Sequence, residues 1–390
     1  MKPRELVCAA LLLAPAGIVL PATAPAAVPA TVGGARVPSL APMIRRVSPA
    51  VVNIATHGVM PGSGHDPLRA DPFYNRFFHG LPGQGPDEEP FAAAGSGVIV
   101  DAKRGYILTN AHVVDHASGI TVTLEDGRSL KASLVGADPP SDIAVVKVVA
   151  RGLKQIRLGD SARLAVGDFV VAIGNPFGLP HTATSGIVSG LKRSGFSPDD
   201  YENYIQTDAS INPGNSGGAL VDLHGDLIGI NTAILSGSGD NIGIGFAIPV
   251  DTAKRVMRQL IEYGAVDRGQ LGFSVYAVTR EMARSLGLSK AAGGLVAQVI
   301  PGSPAEKAGL HAGDVVTAIE GHRIHSNTDL RNAIALLRVG DQVTIDLLRD
   351  GRHERRHAVL ADALPDHPAP GRASPHAPSS RTGSPPRIPH

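Results

Sequence analysis

From Gly95 onward this 390-residue chain is a succession of short β-branched runs separated by glycine, aspartate and proline. Gly97–Val100, Tyr106–Thr109, Thr121–Leu124, Ile143–Val149, Phe169–Ile173, Ile187–Gly190, Leu227–Asn231 and Gly243–Ala247 are the clearest of them. Many short strands with turn signals between them predict an all-β sandwich or a pair of barrels. The 46 glycines and 31 prolines supply the turns, and a 43% apolar content can fill the cores. Thr252–Tyr263 breaks the pattern, because Ala253, Val256, Met257, Leu260 and Ile261 follow helical spacing. One amphipathic helix is expected to close this domain, over residues 39–264.

Residues 1–27 read as a secretory signal. Lys2 and Arg4 precede an apolar run, Leu6–Leu20, that is shorter than the roughly 20 residues a membrane span requires. Pro15, Gly17 and Pro21 favour cleavage over a retained anchor. The single cysteine, Cys8, lies inside this segment. A cleaved product therefore carries no disulfide, cysteine nucleophile or thiolate metal site. Residues 28–38 form a flexible lead-in, and Ile44, Val47 and Val51 open the folded part at helix-like spacing. Thr56–Ala94 is expected as a long loop whose aromatic cluster, Phe73–Phe78, suits contact with another subunit.

Residues 268–361 look like a second, smaller unit. Strands are expected over Leu271–Val278, Gly294–Val299, Val315–Glu320 and Gln342–Arg349, with helices over Ser303–Leu310 and Ser326–Leu337. Residues 362–390, rich in Pro, Ser, Arg and His without apolar periodicity, form a disordered tail. A net charge of +1, with no basic run in the folded part, argues against a nucleic-acid partner.

The chemistry centres on Gln206–Leu220, where Gly214, Gly217 and Gly218 surround Ser216. Glycines permit a sharp turn whose free N–H groups can converge on one oxygen, as a tetrahedral oxyanion requires. Alone, such a string is as easily an ordinary hairpin loop. Tyr106–Val114 places His112 just past an apolar strand, and Ser141–Lys147 places Asp142 just before another. Either residue alone is most often a core histidine or a turn aspartate. The set of three in one β-rich domain points to nucleophilic catalysis: the imidazole takes the serine proton, and a carboxylate fixes its tautomer and stabilises the imidazolium. Gly214 and Ser216 N–H groups, with Asn215 shaping the turn, would receive the oxyanion.

Thr109–Val114, Ser141–Lys147 and Gly214–Leu220 together resemble the HtrA/Deg family of chymotrypsin-like serine proteases, over about Ser39–Ala361. The resemblance implies a mainly β fold: two six-stranded β-barrels with His112, Asp142 and Ser216 between them, followed by an α/β PDZ domain. Gly174–Gly178 resembles the turn before the family's regulatory loop, and Arg193 matches an arginine that relays activation toward the oxyanion turn. Ile211, Ile230, Asn231 and Thr232 are expected to bind substrate. With no lone acid near Ser210–Ile211 or Ile228–Thr232, the pocket is expected to be small and apolar, taking Val, Ala or Ile.

Ser303–Val316 is similar to the helix-to-strand segment of bacterial PDZ domains. Arg268, Gln270, Leu271, Gly272 and Phe273 resemble a loop that holds a peptide C-terminal carboxylate while the ligand adds to a sheet edge. A single PDZ domain is visible, unlike members with two. No cofactor or metal is expected, and an exported, thiol-free product fits a periplasmic location; the resemblance further implies a homotrimer, and an apolar pocket with a strand-adding groove suits unfolded polypeptides as substrates. Two other readings are a chaperone or PDZ adaptor whose protease site is mostly idle, and a membrane-anchored protease cutting one signalling substrate.

Overall fold

The computed structural model describes residues 31–32, 35–36, 39–61, 79–80, 88–175, 181–194, 201, 203–212, 214–234, 243–286, 288 and 290–362. The expected signal, the Phe73–Phe78 cluster and the tail beyond 362 lie outside them. The chain divides into two units, Met1–Leu40 and Ala41–His390. In the first, β1 (Thr31–Val32) pairs antiparallel with β2 (Ala35–Arg36). All that follows concerns the second.

Helix α1 (Ala41–Val47) buries Met43 and Val47 and leads through a short 3-10 turn into the first barrel. Its strands are β3 (Val51–Pro61), β4 (His79–Gly80), β5 (Glu88–Asp101), β6 (Tyr106–Thr109), β7 (Ala117–Thr123), β8 (Ser129–Asp138) and β9 (Ile143–Lys147). They run in the order β3-β7-β8-β9-β6-β5, and pairing of β5 back to β3 closes six of them, with β4 added outside β5. The β3–β5 ladder extends to Pro61 opposite Glu88, so both ends of the expected loop Thr56–Ala94 are strand. Val52, Ile54, Ile99, Ile107, Val122 and Val146 fill the interior.

The second barrel comprises β10 (Phe169–Gly174), β11 (Thr182–Arg193), β12 (Tyr204–Thr207), β13 (Ala219–Val221), β14 (Leu227–Ile234) and β15 (Gly245–Pro249). They close in the order β10-β11-β12-β15-β14-β13 around Val170, Val188, Ile205, Leu220 and Ile228. After the one-turn α2 (Ala111–Val114), helix α3 (Val250–Tyr263) packs on β8 and β9 of one barrel and β14 and β15 of the other. Its buried stripe Ala253, Val256 and Leu260 follows the helical repeat, and Gly264 ends it in a left-handed conformation, its N–H on the Leu260 carbonyl.

The third sheet has the order β16 (Phe273–Ala277), β17 (Gly294–Val299), β18 (Val315–Ile319), β20 (Gln342–Arg349) and β21 (Arg352–Val359), with β19 (His322–Arg323) on β18. Helix α4 (Arg280–Ser285) was not apparent from periodicity. The expected helix over Ser303–Leu310 is a single turn, α5 (Pro304–Lys307), stopped as Gly309 turns to φ +76°. Helix α6 (Asn327–Ala335) starts where expected, with the Ser326 hydroxyl accepting from the Asp329 N–H. Strand β16 is an edge of this sheet and α6 lies beside it. Among the described residues no helix is long and apolar enough to cross a membrane.

Candidate active site

Thr109 ends strand β6, and the next residues turn once as α2 (Ala111–Val114), carrying His112. Asp142 follows a 3-10 turn, Pro139–Ser141, and is left-handed at φ 53°, ψ 37°. A non-glycine residue in that region needs its surroundings to hold it there. The Asp142 N–H donates to Pro139 O (2.9 Å), and its carbonyl accepts from Asn110 Nδ2 (3.0 Å) and Ala111 N (3.2 Å). Asn110 is fully buried, so this contact is shielded from water.

The Asp142 carboxylate is held as firmly as its backbone. Oδ1 accepts from His112 N (3.1 Å) and lies 2.9 Å from His112 Nδ1, which is 3.0 Å from Oδ2. Thr232 Oγ1 donates to Oδ2 at 2.5 Å. With Nδ1–H facing a carboxylate, Nε2 is the basic nitrogen of the ring. Burial of the imidazole works against its charged form. The charge and hydrogen bond of Asp142, helped by Asp115, outweigh burial and raise the His112 pKa above its ordinary 6.5.

Ser216 comes from the second barrel, in the turn between β12 and β13. Its hydroxyl donates to Thr232 O at 3.0 Å, and its carbonyl accepts from Ser96 N at 2.8 Å. Gly214, at φ +92°, adopts a conformation that side chains resist. Gly217, at φ +81°, lies so close to β5 that a Cβ there would sit 2.1 Å from Ser96 O. Asn215 packs against Gly174, and its N–H donates to Asn212 O (2.9 Å). Among the described residues neither the Gly214 nor the Ser216 N–H meets a hydrogen-bond acceptor.

The four expected substrate-binding residues separate. Ile211 and Ile230 are sealed inside the second barrel with no exposed surface, and Asn231 is equally buried, its Nδ2 on Ala219 O. In this structure they frame the site: Ile211 backs onto Gly245, and Asn231 pins the serine turn by accepting from Gly217 N. Thr232 is at the site, but against Asp142 and Ser216. Asp208, the nearest acid in sequence, spends Oδ1 on Ile187 N at 2.7 Å. Arg193 ends β11 and donates from Nε to Gln206 Oε1 (2.8 Å), on the strand that runs into the serine turn.

In the third sheet the expected carboxylate loop also divides. The Gln270 N–H is taken by Ala361 O, whereas Leu271, Gly272 and Phe273 lead into edge strand β16, Gly272 at φ +84°. Arg268 is directed elsewhere. Its guanidinium forms a bidentate pair with Asp138, at 2.7 and 2.5 Å, and lies 4.4 Å over the Tyr201 ring. Arg331 of α6 approaches the same ring at 5.9 Å. Tyr201 N donates to Pro140 O (2.9 Å), and Ser141 hydrogen-bonds Asp138 through its hydroxyl. The smaller domain thus grips the turn that presents Asp142. Sequence reading missed Asn110, Ser96 and this grip; the available signal was polar residues set among apolar strand positions.

Residues 95–230 match the family of trypsin-like peptidase domains, and residues 269–357 the family of PDZ domains. The chain is 49% identical over 336 residues to the periplasmic serine endoprotease DegP of Salmonella typhimurium, covering 81% of this chain and 71% of that protein. It is 46% identical over 356 residues to the periplasmic pH-dependent serine endoprotease DegQ of Escherichia coli, covering 90% and 77%. Among solved structures, the HtrA-type protease AlgW with decapeptide superimposes with a TM-score of 0.62 at 43% identity, over 84% of this chain and 99% of that one. Two closed barrels, a PDZ sheet and relatives of this identity and coverage make the chain a serine endoprotease of the HtrA/Deg family.

Proposed function

We propose that the protein is a periplasmic endopeptidase that cleaves misfolded or damaged proteins after small apolar residues, through an acyl-enzyme on Ser216. The observation carrying this reading is the Asp142 carboxylate, which joins His112 Nδ1 and the Thr232 hydroxyl while Thr232 O accepts from Ser216 Oγ. His112 takes the serine proton and later returns it to the leaving amine; Asp142 holds the ring and the charge that forms on it. Gly214 and Ser216 N–H groups receive the oxyanion. That Asp208, the nearest acid in sequence, is exposed and tied to Ile187 N supports an apolar pocket over one selecting Lys or Arg.

Unfolded chains expose apolar side chains and extended backbone, and the open edge of β16 beside α6 suits an added peptide strand ending at the Leu271–Phe273 N–H groups. Solved relatives that carry bound peptides support the same reading. The grip of Arg268 and Arg331 on Tyr201 and Asp138 supports regulation of the site by the PDZ domain, with Arg193 acting on the strand before the serine turn. The names of the relatives support the periplasmic location. A homotrimer follows from the family resemblance, and exposed Phe169 and Leu223, 64% and 48% accessible beside one open hollow, offer apolar surface for contact with another copy.

Casein digestion by wild type and Ser216→Ala, with and without apolar C-terminal peptides, tests the reading. Turnover is expected to fall roughly 10⁴- to 10⁶-fold in the variant. Near wild-type digestion by Ser216→Ala overturns it.

A further inference from the structure

We infer that Ser96 is the positioning residue of the oxyanion turn, fixing the peptide planes on either side of Asn215. This rests on the assignment of Ser216 as nucleophile. Ser96 lies on β5 of the first barrel, fully buried, opposite Asn53 of β3. All four of its hydrogen-bonding contacts are to groups around the site. Its hydroxyl donates to Gly214 O (2.5 Å) and accepts from Asn175 N (2.8 Å). Its N–H donates to Ser216 O (2.8 Å), and its carbonyl accepts from Thr109 Oγ1 (2.7 Å), three residues before His112. Asn53 Nδ2 holds Asn175 O (2.9 Å) from the neighbouring strand.

The turn needs such a support. A glycine at positive φ can swing to negative φ at little steric cost, and with it would swing the N–H that must face the oxyanion. The Gly214–Asn215 peptide is pinned at both ends, its carbonyl by the Ser96 hydroxyl and its N–H by Asn212 O. The Ser96 N–H pins the Ser216 carbonyl. With the planes before and after it fixed, the Asn215–Ser216 plane and its N–H have one direction. An alanine at 96 would serve the β3–β5 ladder equally well, so strand geometry does not account for the hydroxyl. Through Asn175, the same oxygen also senses the end of β10.

The test compares wild type, Ser96→Ala, Ser96→Cys and Ser216→Ala at 25 °C on a peptide with a valine before the scissile bond, with a peptide boronic acid as tetrahedral probe. Removal of a whole oxyanion donor costs about 10²–10³ in kcat, and loosening two donors is expected to cost Ser96→Ala roughly 10- to 100-fold. KM stays within about twofold, boronate affinity falls by the same factor as kcat/KM, and the acid limb of the pH profile is unmoved because the His112–Asp142 pair is intact. Ser96→Cys, a weaker donor of similar size, falls between. A folded Ser96→Ala with wild-type kcat and boronate affinity overturns the inference, as does a loss accompanied by a shifted acid limb. If Ser96→Ala has melted at 25 °C, full kcat in Ser96→Cys overturns it equally. Absence of Ser216-dependent hydrolysis in wild type would instead defeat the functional reading beneath it.

Discussion

Replacing Arg268 by alanine removes both charge-assisted hydrogen bonds to Asp138 and the cation over Tyr201. The two side chains are 16% and 4% exposed, so this is a buried pair. Asp138 would keep the Ser141 hydroxyl but lose its counter-charge. Breaking a buried pair from one side costs about 3–5 kcal/mol, mostly the penalty of the charge left behind. In a domain of 150–250 residues each kcal/mol lowers Tm by about 2–4 °C, which gives a fall of roughly 6–20 °C. The diagnostic is the double variant: Asp138→Asn removes the stranded charge, so Arg268→Ala with Asp138→Asn should be more stable than Arg268→Ala alone. Calorimetric melts, in a Ser216→Ala background to prevent self-digestion, read this directly. Costs that simply add, or a shift below about 1 °C for Arg268→Ala, would refute the reasoning.

Because Asp142 raises the His112 pKa, the acid limb of kcat/KM should have its midpoint above 6.5 and move down in Asp142→Asn; a wild-type midpoint at 6 or below contradicts this. The same pair should act oppositely on stability: its contribution is complete below the unfolded-state histidine pKa and fades as pH rises through the raised folded-state value, so Tm measured against pH should lose this component on the alkaline side. Thr232→Val removes the hydroxyl on Asp142 Oδ2, a bond to a charged group worth about 1.5–3 kcal/mol, and should lower kcat roughly tenfold or more; steady-state kinetics with unchanged kcat would contradict that role. Gly217→Ala would drive a Cβ onto Ser96 O and strain a left-handed backbone, and should abolish both activity and a native melt; a soluble, active variant would show that the turn yields. On the proposed homotrimer with exposed Phe169 in its contact, Phe169→Asp should lower the mass read by light scattering, and an unchanged mass would contradict that placement.

The candidates His112, Asp142 and Ser216 stand out in the sequence because each sits in a local pattern: a histidine past a strand, an acid before one, a serine among glycines. What was not legible depends on segments far apart in the chain. Thr232 meets Asp142 across 90 residues, Ser96 meets Gly214 across 118, and Arg268 meets Asp138 across 130. Nothing in the local composition of Gly95-Ser96-Gly97 announces that its hydroxyl supports a turn in the other barrel. The burial of Ile230 and Asn231 was not legible for a related reason. Strand alternation predicts one buried side, and only the packing of β14 between β13 and β15 decides that both consecutive positions are buried. The helix at Ser303 was overextended because apolar spacing continues to Leu310 while Gly309 has already turned the backbone.

The division of the site between two barrels also bears on synthesis. A chain made from its N-terminus carries His112 and Asp142 well before Ser216 exists, and the second barrel stays open until β15 inserts between β12 and β14. In the closed barrel Thr232, on β14, is held against Asp142. An unfolded chain, or one ending before β15, therefore can hold His112, Asp142 and Ser216 in its sequence without the closed barrel that brings them together. On the proposed function, activity is expected only once the last barrel strand is in place, when the chain no longer resembles an unfolded substrate.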